Sequence, residues 1–183
     1  MLGVLTMISC LIKSCNQSIP TSTLKEIEPN ILEEIQHSFS LCSKYWPKKL
    51  PIGFIHGDMF PDNVFFNNNK ISGVIDFYFS CIDILAYDLA IAVNAWCFDD
   101  DLVFNKKKFY SLIKGYSSIR ELSEEELFYL PLLSQAAAMR FLLTRLYDWV
   151  HTPKNAKVIL KNPKEYITKF RYHRKIAANK DYN

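Results

Sequence analysis

Two short apolar runs, Val64-Phe65-Phe66 and Ile71 to Phe77, flank the polar stretch Asn67-Asn68-Asn69-Lys70. Branched and aromatic residues on either side of an asparagine turn predict a two-stranded hairpin. Such a ribbon carries the chain back alongside its own start. Asn63, entering the first strand, and Asp76, near the end of the second, are therefore expected at the same open end. Asp58 stands five residues before Asn63, in the run His56-Gly57-Asp58-Met59-Phe60-Pro61-Asp62-Asn63. A carboxylate, an amide and a second carboxylate are thus expected to converge at the mouth of one ribbon.

That trio suits phosphoryl transfer. The reaction asks for a carboxylate to take the acceptor hydroxyl's proton and for ligands that hold magnesium on the phosphates. Asp58 and Asn63 have the Asp-x-x-x-x-Asn spacing of a kinase catalytic loop, and Asp76 supplies the second carboxylate. Magnesium is a hard ion that keeps several waters and takes one or two protein oxygens besides the phosphates. Asn63 and Asp76 are the expected metal ligands and, through the metal, the cofactor-binding pair. His56 is expected to brace the loop internally rather than carry protons. Each residue taken singly has a plainer reading. His-x-Asp occurs by chance, Asp62-Asn63 could be turn chemistry, and Asp76 could cap a following helix.

The rest of the chain reads as mostly helical. With 183 residues, 49% of them hydrophobic and 14% aromatic, it is long enough to bury a core and too apolar for disorder. It is expected to form one domain over 1–183, with 154–183 as its basic helical tail. A net charge of +3, scattered toward the C-terminus, is too weak to argue for nucleic acid. Lys154 to Lys180 is read as a solvated face. Five cysteines without a Cys-x-x-Cys pair suggest reduced thiols in a cytoplasmic protein. Met1 to Ile12 lacks the basic segment and cleavage site of a leader and is too short to span a bilayer, so a buried helix and no membrane are expected.

Further helices are expected from Pro29 to about Tyr45, from Asp83 to Phe98 and from Lys106 to Tyr116, with Ser18 to Thr23 as a polar linker. Pro47 and Pro51 bracket a loop. Ser123 and Glu126 form a capping-box pattern, starting a helix that Pro131 breaks or restarts. The longest helix is expected from Pro131 to Val150, with Leu132, Ala136, Met139, Leu143 and Leu146 facing inward. A last amphipathic helix is read from Pro163 to Lys175.

Leu50-Pro51-Ile52-Gly53-Phe54-Ile55-His56-Gly57-Asp58, Phe60-Pro61-Asp62-Asn63-Val64-Phe65-Phe66 and Gly73-Val74-Ile75-Asp76-Phe77-Tyr78-Phe79 resemble the C-terminal lobe of the aminoglycoside phosphotransferase/choline kinase-like superfamily. Ala86-Tyr87-Asp88-Leu89-Ala90-Ile91, Asn94-Ala95-Trp96-Cys97-Phe98 and Arg140 to Trp149 extend the likeness to its bacterial homoserine kinase branch. The resemblance implies an α+β, mostly helical fold: the C-terminal lobe of a protein-kinase-like fold, with a small β-hairpin carrying the metal ligands. It implies Asp58 as catalytic base, Asn63 and Asp76 as magnesium ligands, ATP as phosphoryl donor, and Asp88 as a structural anchor. Many relatives carry alanine where this chain has Gly57, and the two small residues are expected to be interchangeable there.

Kinases of this superfamily place an N-terminal nucleotide lobe before the catalytic loop. Here 55 residues precede His56; they read as helices, without a clustered glycine pair or a Val-Ala-Ile-Lys-like strand. The lobe is read as absent. Placement of two reactants can be worth roughly 7–11 kcal/mol, so the chain alone is expected to lack useful turnover. It would then be one half of a split homoserine kinase of threonine biosynthesis, completed by a separate polypeptide that supplies the lobe. It could instead be a non-catalytic remnant or binding module, or a kinase for another hydroxyl acceptor such as choline or an aminoglycoside. A small amino-acid substrate needs an acid for its ammonium and a fork for its carboxylate. Asp83 is the candidate for the first, and Arg140 or Arg145 for the second. Asp83 could equally cap a helix, and Arg145 could pair with Asp148 or another carboxylate.

Overall fold

The computed structural model describes residues 3–153 and 155–179. The parts of the expected N-terminal helix and basic tail that fall on Met1, Leu2, Lys154 and 180–183 lie outside the described residues. The chain divides into two compact units, one built mainly of Pro47–Ser134 and the other of Leu2–Trp46 with Gln135–Asp181.

The first unit holds the four strands found among the described residues: β1 (Ile52–Ile55), β2 (Val64–Asn67), β3 (Lys70–Val74) and β4 (Cys81–Ile84). The hairpin forms as the sequence suggests. β2 and β3 pair antiparallel with Val64 opposite Val74 and Asn67 opposite Lys70. The two-residue turn puts Asn68 at φ 48° and Asn69 at φ 60°, the left-handed conformation that asparagine tolerates and that matches strand twist. β3 ends at Val74 rather than continuing to Phe77; Asp76 turns left-handed, and Phe77–Phe79 coils into a 3-10 turn.

The second sheet was not legible. β1 pairs antiparallel with β4, Phe54 opposite Ile82, where the sequence suggested only a loop and the start of a helix. The helix α4 begins at Leu85 and runs to Trp96, two residues inside each expected end. It is buried on most sides and carries Tyr87, Ala90, Ile91 and Val93 into the core, as its nearly continuous apolar sequence requires. Asn94 fixes it by donating from Nδ2 to the carbonyls of Ala90 and Ser134, both at 3.0 Å. The next helix, α5 (Lys106–Ser117), is capped by Asn105, whose side chain accepts from the Lys108 N–H at 3.0 Å.

The capping box is formed. Ser123 N–H donates to Glu126 Oε2 at 3.0 Å, and Glu126 N–H donates to Ser123 Oγ at 3.2 Å. Arg120 also pairs with Glu126. The helix opened there, α6, is one unbroken element over Glu124–His151 with Pro131 inside it. The proline removes one backbone bond and crowds the carbonyl four residues before it, about 3 kcal/mol in all, and the burial along α6 outweighs that loss. Leu133, not Leu132, belongs to the core. By length and composition α6 is apolar enough to cross a membrane, but 67% of its most apolar window is buried inside the protein.

In the second unit, α1 (Val4–Ser18) buries Val4, Ile8, Ile12 and Cys15 at helical spacing. A short helix, α2 (Thr21–Ile27), takes the second half of the expected linker, and α3 (Ile31–Tyr45) follows it. The last helix, α7 (Pro163–Asn179), corrects the reading of the tail as a solvated face. Tyr166, Ile167, Phe170 and His173 are buried at i, i+1, i+4 and i+7 spacing, and even Lys169 is only 4% exposed. The basic residues of α7 make ion pairs. Arg171 binds Glu28 at 2.8 Å and Glu34 at 2.6 Å, and Arg174 binds Glu34 at 2.7 Å.

The hydrogen bond from Arg171, helped by Arg174 and opposed by partial burial, holds the Glu34 carboxyl below its usual range. A lowered carboxylate pKa stabilises the fold above the unfolded value of about 4.3 and loses that contribution as pH falls through the folded value. Arg171→Ala should therefore lower the urea midpoint at pH 7, and the gap from wild type should narrow as pH falls below the ordinary carboxylate range. Paired urea titrations across that range check it; a gap independent of pH would show that packing alone explains the loss.

Candidate active site

The open end of the hairpin is tied to the loop before it by backbone. Ile75 N–H donates to the Asn63 carbonyl at 3.0 Å, Asn63 N–H to the Phe60 carbonyl at 3.0 Å, and Phe60 N–H to the Asp58 carbonyl at 2.8 Å. This ladder puts Asn63 beside the residue that precedes Asp76. Asn63 is 9% exposed. Its Nδ2 donates to the Asp58 carbonyl at 2.8 Å and to Asp58 Oδ2 at 3.1 Å. Both amide hydrogens are thereby used toward Asp58, which leaves Oδ1 as the atom Asn63 can offer to a cation.

Asp76 is solvent-exposed and sits at φ 63°, ψ 62°. A non-glycine residue held left-handed costs free energy, and such positions cluster where chemistry is done. Asp76 thus carries a carboxylate oxygen and Asn63 an amide oxygen at the open end of the ribbon, and both are ligand types that suit a hard cation such as magnesium. No group of three or more His, Cys, Asp or Glu able to hold a metal occurs among the described residues. Two protein oxygens with phosphates and water completing the shell is the form of site that magnesium takes with nucleotides.

His56 is 4% exposed and uses both ring nitrogens on the backbone. Nδ1 accepts from the Asp58 N–H at 3.2 Å, so Nε2 carries the proton and donates to the Ile75 carbonyl at 2.9 Å. The ring thus joins the loop to the residue before Asp76. Phe77 packs edge-on against it, with centroids 4.6 Å apart.

Asp88, in the first turn of α4, reaches back to the same loop. Its Oδ2 accepts from the His56 N–H and its Oδ1 from the Gly57 N–H, each at 2.9 Å. Two charge-assisted bonds to consecutive amides hold the backbone rigid just before Asp58. Gly57 itself has φ 78°, and a Cβ there would stand 2.6 Å from the Phe79 carbonyl oxygen. Alanine and glycine are thus not interchangeable on this backbone, because alanine requires the carbonyl at 79 to shift.

Two further contacts escaped the sequence reading. Ser80 Oγ donates to the His56 carbonyl at 3.2 Å, and Trp96 Nε1–H donates to the Met59 carbonyl at 2.9 Å. No local spacing signals either one, since each spans more than twenty residues.

The acceptor-binding candidates have contacts of their own. Asp83 lies on β4 opposite Gly53 and accepts from the Ile84 N–H at 2.7 Å. It does not cap α4, whose cap position is Ile84. Arg140 and Arg145 belong to the second unit. Arg140 is 4% exposed, with its guanidinium 4.5 Å from the Phe141 ring centroid. Arg145 pairs with Glu165, donates to the Asn162 carbonyl at 3.3 Å and lies over the Tyr166 ring. Its carboxylate partner is therefore Glu165 rather than Asp148.

The sequence profile of the phosphotransferase enzyme family matches residues 17–122, more than half of the chain. Homoserine kinases from Rhizobium rhizogenes and Agrobacterium fabrum are 51% and 52% identical to it over 157 residues, covering 86% of this chain and 49% of each of theirs. The homoserine kinase of a Chelativorans species is 48% identical over the same length. The chain spans about half the length of the curated relatives it matches. Among solved structures, ethanolamine kinase of Plasmodium vivax superposes with a TM-score of 0.66 over 97% of this chain and 50% of its own, at 21% identity. That likeness concerns the fold alone, and it is the fold the sequence suggested: mostly helical, kinase-like, with small sheets.

Proposed function

Because this chain belongs to the phosphotransferase enzyme family, we propose that it carries the catalytic centre of an ATP-dependent homoserine kinase. One observation supports this best: Asn63 hydrogen-bonds Asp58 and is tied by its backbone to the residue before Asp76, uniting the general base with two metal ligands. The homoserine kinases at about half identity supply the choice of acceptor.

In this reading Asp58 accepts the proton of the acceptor hydroxyl as that oxygen bonds to the γ-phosphorus, and the bond to the β–γ bridging oxygen breaks to release ADP. Asn63 and Asp76 would hold magnesium, which would neutralise charge on the phosphates. His56 and Asp88 keep the loop in place. Asp83 is proposed to meet the ammonium of the amino-acid acceptor. Arg145 is left out of the proposal because its donors are committed to Glu165 and Asn162. Arg140 is left out as a buried group packed on an aromatic ring.

The described residues include no glycine-rich loop to grip the nucleotide, so polypeptide outside them is proposed to do so, as part of the same protein or as a separate chain. Exposed apolar side chains in the first unit support a covering partner of this kind. Phe54 is 64% exposed, Ile71 65% and Tyr78 86%, and large apolar side chains such as these are what a covering segment would bury. A cytoplasmic setting is proposed from the thiols. Burial pushes the Cys15 thiol up to about 11 and those of Cys42 and Cys97 up to about 12, which keeps these three protonated and unreactive.

The test is phosphoryl transfer from labelled Mg-ATP to homoserine, choline and an aminoglycoside, by the chain alone and with the polypeptide corresponding to the other half of its relatives. Labelled phosphohomoserine only in the completed assembly is expected. Preferential labelling of choline or the aminoglycoside would reassign the acceptor, and no transfer to any of them would favour a non-catalytic remnant.

A further inference from the structure

We propose that Trp96 is a positioning residue for the catalytic loop, a role that rests on the kinase reading of Asp58. Helix α4 touches the loop on both sides of that residue. At its first turn, the Asp88 carboxylate takes the N–H groups of His56 and Gly57, each at 2.9 Å. At its last residue, the Trp96 indole N–H gives a hydrogen bond of 2.9 Å to the carbonyl of Met59. Asp58 is thus the one residue between the two grips, with an acceptor from α4 fixing the backbone before it and a donor from α4 fixing the backbone after it.

Trp96 also bridges to the ribbon. Its ring meets Phe66 of β2 edge-on, with centroids 6.3 Å apart, and β2 continues directly from Asn63. One side chain therefore touches both the segment that carries the base and the strand that follows the metal ligand. The helix that carries these grips is itself anchored, through Asn94 to the carbonyl of Ser134. A rigid element holding a loop at two points is what keeps a catalytic carboxylate within a fraction of an ångström of its working position, and displacements of about 1 Å can cost a hundredfold in rate. The indole N–H is the part of Trp96 that no other apolar residue would supply.

Trp96→Phe removes the donor and keeps an aromatic ring beside Phe66. Two readouts are taken on the assembly that phosphorylates homoserine. The first is the amide resonance of Phe60, whose peptide bond contains the Met59 carbonyl. The second is the division of the effect between kcat and KM, measured at equal concentrations of folded protein. The expected result is a displaced Phe60 resonance, kcat lower by about tenfold, as one lost hydrogen bond implies, and KM for both substrates within twofold. An unmoved Phe60 resonance, or an unchanged kcat with only a lower melting temperature, would overturn the proposal. If wild type transfers no phosphoryl group, the kinase reading fails, and the grip itself is judged by the Phe60 resonance alone. Should Trp96→Phe not fold, hydrogen exchange at the wild-type Trp96 indole decides: protection supports the bond to Met59, and exchange as fast as an exposed indole rejects it.

Discussion

Asp58→Asn is expected to lower kcat for homoserine phosphorylation by about a hundred- to ten-thousandfold, the usual contribution of a positioned general base. The substitution keeps an oxygen for the Asn63 amide, so the loop and its backbone ladder should survive, and KM for ATP should change little. Asp62→Asn is the control. Asp62 is a neighbouring exposed carboxylate in the 3-10 turn, and its loss should leave kcat within about twofold. Steady-state kinetics of the two variants separate a base from a general need for negative charge near the phosphates. Equal losses in both would leave Asp58 without a special role.

The second large effect is structural. Asp88→Ala removes the acceptor of two charge-assisted bonds at once, leaving the amides of His56 and Gly57 with whatever water can reach them. Each such bond is worth about 1.5–3 kcal/mol, and water recovers part of the loss at a half-buried site. A net destabilisation of about 2–4 kcal/mol is expected, read from urea unfolding at pH 7. Asp88→Asn should fall in between, because its amide keeps one acceptor and sets a donor against the other N–H. Activity should drop in both variants by more than the loss of folded protein explains, since Asp58 follows directly on the two released amides. A destabilisation below about 0.5 kcal/mol would mean that the loop holds its form without α4.

What could be read in advance follows the range of the interactions involved. The hairpin was legible because its cause is local: asparagines that accept positive φ, flanked by branched and aromatic residues. The capping box at Ser123 and Glu126, the C-terminal end of α3 and the start of α5 were legible for the same reason. β1 and β4 were not. Each is four residues long, and their pairing joins Ile52–Ile55 to Cys81–Ile84 across the whole loop and ribbon, so no window of sequence holds the pattern. Pro131 misled in the other direction, because its local penalty is smaller than the burial gained by continuing α6. The tail misled through composition. Arginines and lysines suggest solvent, yet Glu28 and Glu34 neutralise Arg171 and Arg174 while Tyr166 and Phe170 fill the core.

The site divides in the same way. Asp58, Asn63 and Asp76 stand out by spacing around one predicted ribbon, and His56 by its place in the loop. The grips from α4 lie 31 to 37 residues away in sequence and have no periodicity to announce them. Asp88 entered only through family resemblance, and the indole of Trp96 only through its contact. Exposed Asp76, held left-handed, is a conformation that no composition reveals.

We propose that Asn63 and Asp76 together receive the metal of a metal–nucleotide complex with Asp58 beside them. Paramagnetic broadening by Mn-ATP tests it most directly, because manganese takes the same oxygen ligands as magnesium and erases the resonances nearest to it. In the nucleotide-competent assembly, the amides of Asn63, Ile75, Asp76 and Phe77 are expected to vanish first on titration, with Asp58 close behind. Asp76→Asn should weaken that pattern without moving it. Broadening centred on the acidic run Asp99 to Asp101, with the mouth of the ribbon unaffected, would rule out Asn63 and Asp76 as the metal ligands.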